Sequence, residues 1–362
     1  MSKPNIIIVK DSAIPSKRTN TLQTLAMAKA FSKIANTQLW LPKIRAKTNP
    51  EVGYIRLIPS LRIYKQNHWI NIVGSYLLKL TFYFNILRAL INQPPSIVLS
   101  REPEVIALKR LGILRKHRFF YEIHQIPTHP YNKLWNSIAL NQADQIIAIT
   151  QGLKDHYSTI KAKINILPDG VKESWLTKPR DKIELKRIIN KYNKKNKKII
   201  LYAGTNLNWK GVKTIEVAAK NDNNPNHQYL IIGFKKENTN NIKYIDRVDQ
   251  ESVRSFYLIA DILVIPNSAK YKISSHFTSP LKLFEYMAVQ KPIICSDLPS
   301  LREIVSKNEV WFFEPDSASS LLQTIQVVEK TPQIEIDTKV SKAFQLVKNY
   351  TWEKRAREII QL

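Results

Sequence analysis

The sequence predicts an α/β protein of two doubly wound domains, and three observations carry that prediction. Short runs of Ile, Val and Leu, each of strand length, alternate with longer stretches whose apolar residues recur at helical spacing. The chain has 362 residues and is 44% hydrophobic, enough for two domains with packed cores. Between Lys172 and Lys198 the pattern is interrupted by a run with 11 Lys/Arg and 3 Asp/Glu, and it restarts beyond. The expected boundaries are a first domain over 1–171, a basic linker over 172–198 and a second domain over 199–349.

The elements follow in order. Ile6–Val9 reads as a buried strand, Lys10–Asn20 as a loop and Thr21–Ile34 as a helix, the usual opening of a doubly wound domain. Leu39–Leu41 and Tyr54–Ile58 have the composition of strands. Val73, Leu77, Leu80, Phe84, Leu87 and Ile91 then form a helical seam, with Tyr76, Phe82, Tyr83 and Ile86 beside it. A helix packed on the sheet is preferred here to one lying in a membrane interface, because its polar face carries few cations. Ile97–Leu99 is a strand ending at Ser100-Arg101-Glu102, and Val105, Leu108 and Leu111 suggest a helix. Arg118–His124 is a strand on which Glu122 and His124 share a face, since side chains alternate. The carboxyl ends of strands in such sheets face the ligand crevice. Ala143–Thr150, a helix from Gln151 to Tyr157, Ile164–Leu167 and a Pro168–Val171 turn complete the first half.

Past the basic run, Lys198–Gly204 is a strand, Thr205–Gly211 a loop, and Val217 and Ala218 mark a helix. Tyr229–Gly233, a helix over Ser252–Ala260 and a strand over Asp261–Pro266 follow, and the chain closes with an amphipathic helix from about Tyr350. Neither a G-x4-G-K-[ST] nor a G-x-G-x-x-G pattern occurs.

Composition narrows the function. The net charge is +27, and residues 1–170 hold 24 Lys/Arg against 8 Asp/Glu. Such a field attracts nucleic acid, anionic lipid or anionic substrates without choosing among them. The one cysteine, Cys295, excludes a disulfide framework and a cysteine-based metal site, and its apolar strand argues for burial. No signal peptide or membrane span is expected, because Ile70–Ile91 is interrupted by Lys79 and Arg88. A cytoplasmic protein is expected, with peripheral contact to the inner face of a membrane.

The most informative stretch is Thr278–Val305. Pro280 suits a first helical turn, with Thr278 or Ser279 as N-cap, and Leu281, Phe284, Met287 and Ala288 repeat at helical spacing to Val289. Lys282 at a helix N-terminus is unfavourable unless an anion sits there. Glu285 lies three residues on, where it can accept hydrogen bonds from sugar hydroxyls; a solvated Lys282–Glu285 pair is the equal alternative.

This stretch, S-P-L-K-L-F-E from Ser279 to Glu285, resembles the carboxyl-terminal signature of family 4 glycosyltransferases. The resemblance implies the GT-B fold: two Rossmann-like domains facing across a cleft, with the tail helix over about 350–362 returning to the first. It implies that amides from Ser279 through Pro280 and Leu281 to Lys282 face a donor diphosphate, and that Glu285 binds the ribose. Phe277 stands where many members have a second Glu. The loop with Gly204, Thr205, Asn206 and Lys210 resembles the family's G-R-x…K-G loop, with Lys210 matching its Lys and Thr205 replacing its Arg. Val248 falls where the nucleobase is expected, His124 of an E-x-H segment near the transferred sugar, and Arg101 where relatives have a Tyr-Arg or Ser-Arg pair. Lys17, Arg18 and Asn20, in a loop without the glycines of many relatives, are cleft candidates with Arg101 and Glu122.

No Asp-x-Asp pair, the metal-holding motif of metal-dependent glycosyltransferases, occurs. The expected function is a metal-independent transfer from a UDP- or GDP-type sugar to a polysaccharide, glycolipid or other glycan. The resemblance implies retention of configuration, with His124, Glu285, Lys282 and Lys210 at the chemistry and no cofactor beyond the donor. A catalytically inactive relative is the alternative, motivated by Phe277 and Thr205. A nucleic-acid-binding protein ranks last, because no recognisable module is present.

Overall fold

The computed structural model describes residues 3–13, 19–43, 54–61, 68–160, 162–177, 181–192 and 197–362. It divides into two compact units. The first comprises Met1–Ile149, Leu153–Leu167 and Trp352–Leu362, and the second Thr150–Gly152 and Pro168–Thr351.

The first unit holds seven parallel strands: β1 (Asn5–Val9), β2 (Asn36–Pro42), β3 (Ile55–Ile58), β4 (Ile97–Ser100), β5 (Arg118–Ile123), β6 (Gln145–Ala148) and β7 (Ile164–Ile166). Their order across the sheet is β3-β2-β1-β4-β5-β6-β7. The order reverses between β1 and β4, the switch point at which open α/β sheets leave a crevice outside the strands' carboxyl ends. Ile6 to Val9 are all buried, as are Phe119 and Phe120, so both sheet faces are covered. The tail helix Trp352–Gln361 packs on the helix Thr19–Ile34 and ties into the unit through Lys33–Glu353 at 2.7 Å.

The helix His68–Ile91 corrects the sequence reading of which side packs. Leu78, Phe82, Tyr83, Ile86 and Leu90 are buried, whereas Leu80, Phe84 and Ile91, from the seam singled out above, are exposed. The helix is apolar nearly all round, so periodicity alone did not choose a face. The helix expected through Leu111 is also shorter: Pro103–Ala107 is α-helical and Leu108–Leu111 tightens to a 3-10 turn, ending at Gly112 with φ +75°.

The second unit has six parallel strands: β8 (Lys198–Ala203), β9 (His227–Ile232), β10 (Ile242–Ile245), β11 (Ile262–Ile265), β12 (Ile293–Ser296) and β13 (Trp311–Phe313). The order is β10-β9-β8-β11-β12-β13, with the switch between β8 and β11. Alternation along β8 is clean. Ile199, Leu201 and Ala203 enter one core and Ile200 and Tyr202 the other, which is the pattern of a sheet covered on both faces. Residues 172–198, read as a linker from their charge, supply Trp175 and Ile188 to the first of these cores. Cys295 is fully buried, and burial pushes its thiol pKa up.

Candidate active site

In the second unit the switch point brings two segments together. After β8 the chain turns through Gly204, where a Cβ would come within 2.2 Å of Tyr202 Oη. A 3-10 turn over Asn208–Lys210 then ends at Gly211, φ +64°, which starts the helix Val212–Asn221. After β11, Pro266 O lies 1.8 Å from where a Gly211 Cβ would be, and Ser268 N–H donates to Trp209 O at 3.0 Å. Gly211→Ala is therefore expected to cost at least the ~1–3 kcal/mol of a strained backbone and to push the two loops apart. A chemical-denaturation midpoint within error of wild type would refute this.

Lys210 lies in this loop, its amine 5.1 Å from the Trp209 ring centroid. Burial, with the charges of Lys282 and Arg247 added, lowers its pKa to about 8. Three cations thus converge, and Arg247 was not singled out from the sequence because it lies 37 residues from Lys210. Thr205, in the same loop, has a buried Oγ1 with no hydrogen-bond partner among the described residues. Asn206 is exposed.

The second segment is the helix Leu281–Ala288. Its cap corrects the sequence reading: Pro280 is the N-cap itself, in extended backbone, and Ser279 Oγ instead accepts from Asp169 N–H at 3.0 Å. Thr278 Oγ1 likewise donates to Ile273 O, at 2.6 Å. The first N–H groups of a helix have no intrahelical acceptor and carry its positive dipole end. Glu285, one turn in, is 5% exposed. Its Oε2 accepts from Tyr257 Oη and Lys282 Nζ, each at 3.2 Å, and Oε1 has a 3.5 Å contact from Gln250 Nε2. Lys282 also lies 5.9 Å from the Tyr257 ring. Tyr286 Oη accepts from Ala203 N–H at 3.2 Å, pinning this helix to the end of β8. Val248 packs half-buried against the same core, and Phe277 is half-buried beside His276.

In the first unit, the second cluster sits at the carboxyl ends of β4 and β5. Glu122 is 3% exposed. Arg101 Nη2 lies 2.8 Å from its Oε1, Arg355 Nη1 lies 3.3 Å from its Oε2, and His124 Nε2 bonds to Oε1. Burial alone would raise the Glu122 pKa, but Arg101, Arg355 and His124 outweigh it and hold the carboxyl well below the usual range. A carboxylate only accepts hydrogen bonds, so His124 Nε2 carries a proton and its ring is held in one orientation. Arg101 Nη1 also donates to Gln23 Oε1 at 2.8 Å. Arg355, on the tail helix, also donates to Leu167 O and was not anticipated from the sequence. A cavity of about 20 Å³, room for roughly one water, lies beside Lys10, Thr24, Arg101 and Glu122. Asn20 is exposed, its carbonyl accepting from Thr24 Oγ1; Lys17 and Arg18 lie outside the described residues. Among the described residues no group of three His, Cys, Asp or Glu side chains is placed to hold a metal ion.

Residues 184–345 match the family described as glycosyl transferases group 1. No curated protein matches the chain at a significant level. Among solved structures, HepE of Anabaena in complex with UDP and glucose superposes with a TM-score of 0.72 at 12% identity, covering 98% of both chains. Sucrose-phosphate synthase of Thermosynechococcus elongatus gives 0.74 at 14% identity, covering 99% of this chain and 98% of that one. A glycosyltransferase of Rickettsia africae gives 0.70 at 18%, covering 100% and 98%. Likenesses at such low identity establish the fold, the GT-B architecture.

Proposed function

We propose that the chain is a group 1 glycosyltransferase, on the match of residues 184–345 to that family, and that it carries out a retaining, metal-independent transfer of a sugar from a nucleoside-diphosphate sugar to a glycan or lipid-linked acceptor. The observation that carries the donor half is the convergence of Lys210, Lys282 and Arg247 at a loop and a helix N-terminus. Glu285, 3.2 Å from Lys282, offsets part of this charge, and a polyanion would relieve the rest. The orphaned Thr205 hydroxyl is a further group for a ligand to satisfy, since leaving it unpaired costs ~1–3 kcal/mol.

In the reaction, the bond from the anomeric carbon to the donor phosphate oxygen breaks and the acceptor oxygen bonds to that carbon on the same face. The acceptor hydroxyl proton passes to the departing phosphate. Lys210 and Lys282 meet the charge that develops on the diphosphate, from fixed positions. We assign Glu285 to the ribose hydroxyls, Val248 to the base, and His124, oriented by Glu122, to the sugar. The likeness to HepE, solved with UDP and glucose, makes UDP the first nucleotide to test. NMR of the product, formed in EDTA, tests the chemistry: the donor's anomeric configuration is expected. An inverted product, or turnover that returns only with a divalent ion, contradicts the reading; absent turnover with intact donor binding favours the inactive alternative.

Proton linkage gives an independent check. In the free protein Lys210 is half protonated near pH 8. An anion favours the protonated form, so binding near that pH takes up protons, and affinity falls as the pH rises through 8 to about 9. Calorimetry of UDP binding in buffers of different ionisation enthalpy reads the uptake. Equal affinity at neutral pH and at about pH 9 would exclude the contact.

A further inference from the structure

We propose that the outward stripe of the helix His68–Ile91 docks the first unit on an anionic lipid surface. The inference deepens the reading of a lipid-linked acceptor and rests on it for its biological sense, though its evidence is separate.

Leu80, Phe84, Leu87 and Ile91 are spaced four, three and four residues apart, so they lie on one stripe of the helix, ~16 Å long. Leu80 is 70% exposed, Phe84 56% and Ile91 43%. Leu61, 64% exposed, lies beside it, because its backbone N–H donates to Thr81 Oγ1 at 3.0 Å. The opposite side of the helix already fills the core with Phe82, Ile86 and Leu90. This outward face is therefore surplus to folding, and contiguous exposed apolar surface marks a contact.

Charge selects the occupant. Lys79, on this helix, is already paired with Glu104 at 3.0 Å, so the cations beside the stripe are Arg88 and Lys116 among the described residues. Arg88 follows Phe84 on the stripe, its guanidinium 6.0 Å from that ring. At the helix's end Lys116 Nζ donates to Ile91 O at 2.7 Å, in a loop that also exposes Ile113. The cations that the helix lacks on its own polar side are thus supplied along the stripe and by its neighbours. An apolar stripe flanked by Arg88 and Lys116 matches acyl chains beneath anionic headgroups. Among the described residues no helix is long and apolar enough to cross a membrane, so the contact lies in the interface.

Flotation of the full chain with vesicles tests this, using phosphatidylcholine alone and mixed with phosphatidylglycerol. Wild type is expected to float with the anionic vesicles and not with the neutral ones. Leu80→Glu with Phe84→Glu is expected to lower the partition coefficient roughly tenfold or more. Both side chains are exposed, and an unchanged circular-dichroism spectrum and melting temperature of the free protein verify that the variant is folded. Arg88→Glu serves as a second variant and is expected to weaken flotation and its salt dependence. The proposal is overturned if wild type floats with neither vesicle, or if the double variant floats like wild type. A wild-type dimer that the substitutions dissolve, without vesicle binding, would also overturn it. Flotation requires no turnover, so failure of the docking and failure of the transferase reading are separately visible.

Discussion

Lys210→Met is expected to lower kcat/KM for sugar transfer by roughly two to three orders of magnitude, while leaving the free protein at least as stable as before. The two halves have one cause. Burial and the charges of Lys282 and Arg247 disfavour the ammonium in the free protein, which is why its pKa falls to about 8. Replacing it by an uncharged side chain of similar length removes that penalty. The same ammonium is worth most once a diphosphate is present, because a charge out of water interacts strongly with its partner. Activity and stability therefore move in opposite directions, which a merely structural lysine would not produce. Lys282→Ala and Glu285→Ala are expected to slow transfer greatly as well. Initial rates with melting curves on the same preparations check the set. Near-normal rates in Lys210→Met, or a loss of stability that accounts for the loss of rate, would remove it from the reaction.

Glu122→Gln is expected to destabilise the first unit by about 3–5 kcal/mol, the usual cost of breaking a buried ion pair from one side. Arg101 and Arg355 would be left facing an amide in a site where Glu122 is 3% exposed and Arg355 is 3% exposed. The same group makes stability depend on pH. Its folded pKa lies below the unfolded value, so the unfolded chain takes up a proton first as the pH falls. The stabilisation is full above the ordinary carboxylate range, near 4.5, and drains away as the pH drops through and below it. Denaturant midpoints at neutral pH and near pH 4 should differ in wild type and converge in the variant. A variant within ~1 kcal/mol of wild type at neutral pH would show that the cluster is not the support it is read to be.

Much of this architecture was legible because strands buried on both faces leave nearly unbroken Ile, Val and Leu runs, as at Ile6–Val9 and Ile262–Ile265. The Gly204–Gly211 loop and Ser279–Glu285 stood out as candidates because each is contiguous in sequence. The rest needed distance information. Arg355 meets Glu122 across 233 residues, and no local pattern announces such a partner. Arg247 is read only once its charge is seen to act on the half-buried Lys210. Trp311–Phe313 is too short to show alternation, and Pro130–Gln142 buries few apolar side chains, so neither declared itself. The helix His68–Ile91 failed in the other direction: too many apolar residues, with nothing local to say which would pack.

The most direct test of the central claim, that the second unit binds a nucleoside diphosphate through its converging cations, is thermal stabilisation by UDP, GDP, ADP and CMP, with and without EDTA. A ligand at 100 times its Kd stabilises the folded state by about 2.7 kcal/mol, enough to raise Tm by several degrees. The account predicts a rise selective for one nucleoside diphosphate, unchanged by EDTA and lost in Lys210→Met. No rise with any of them, or an equal rise in Lys210→Met, would contradict it.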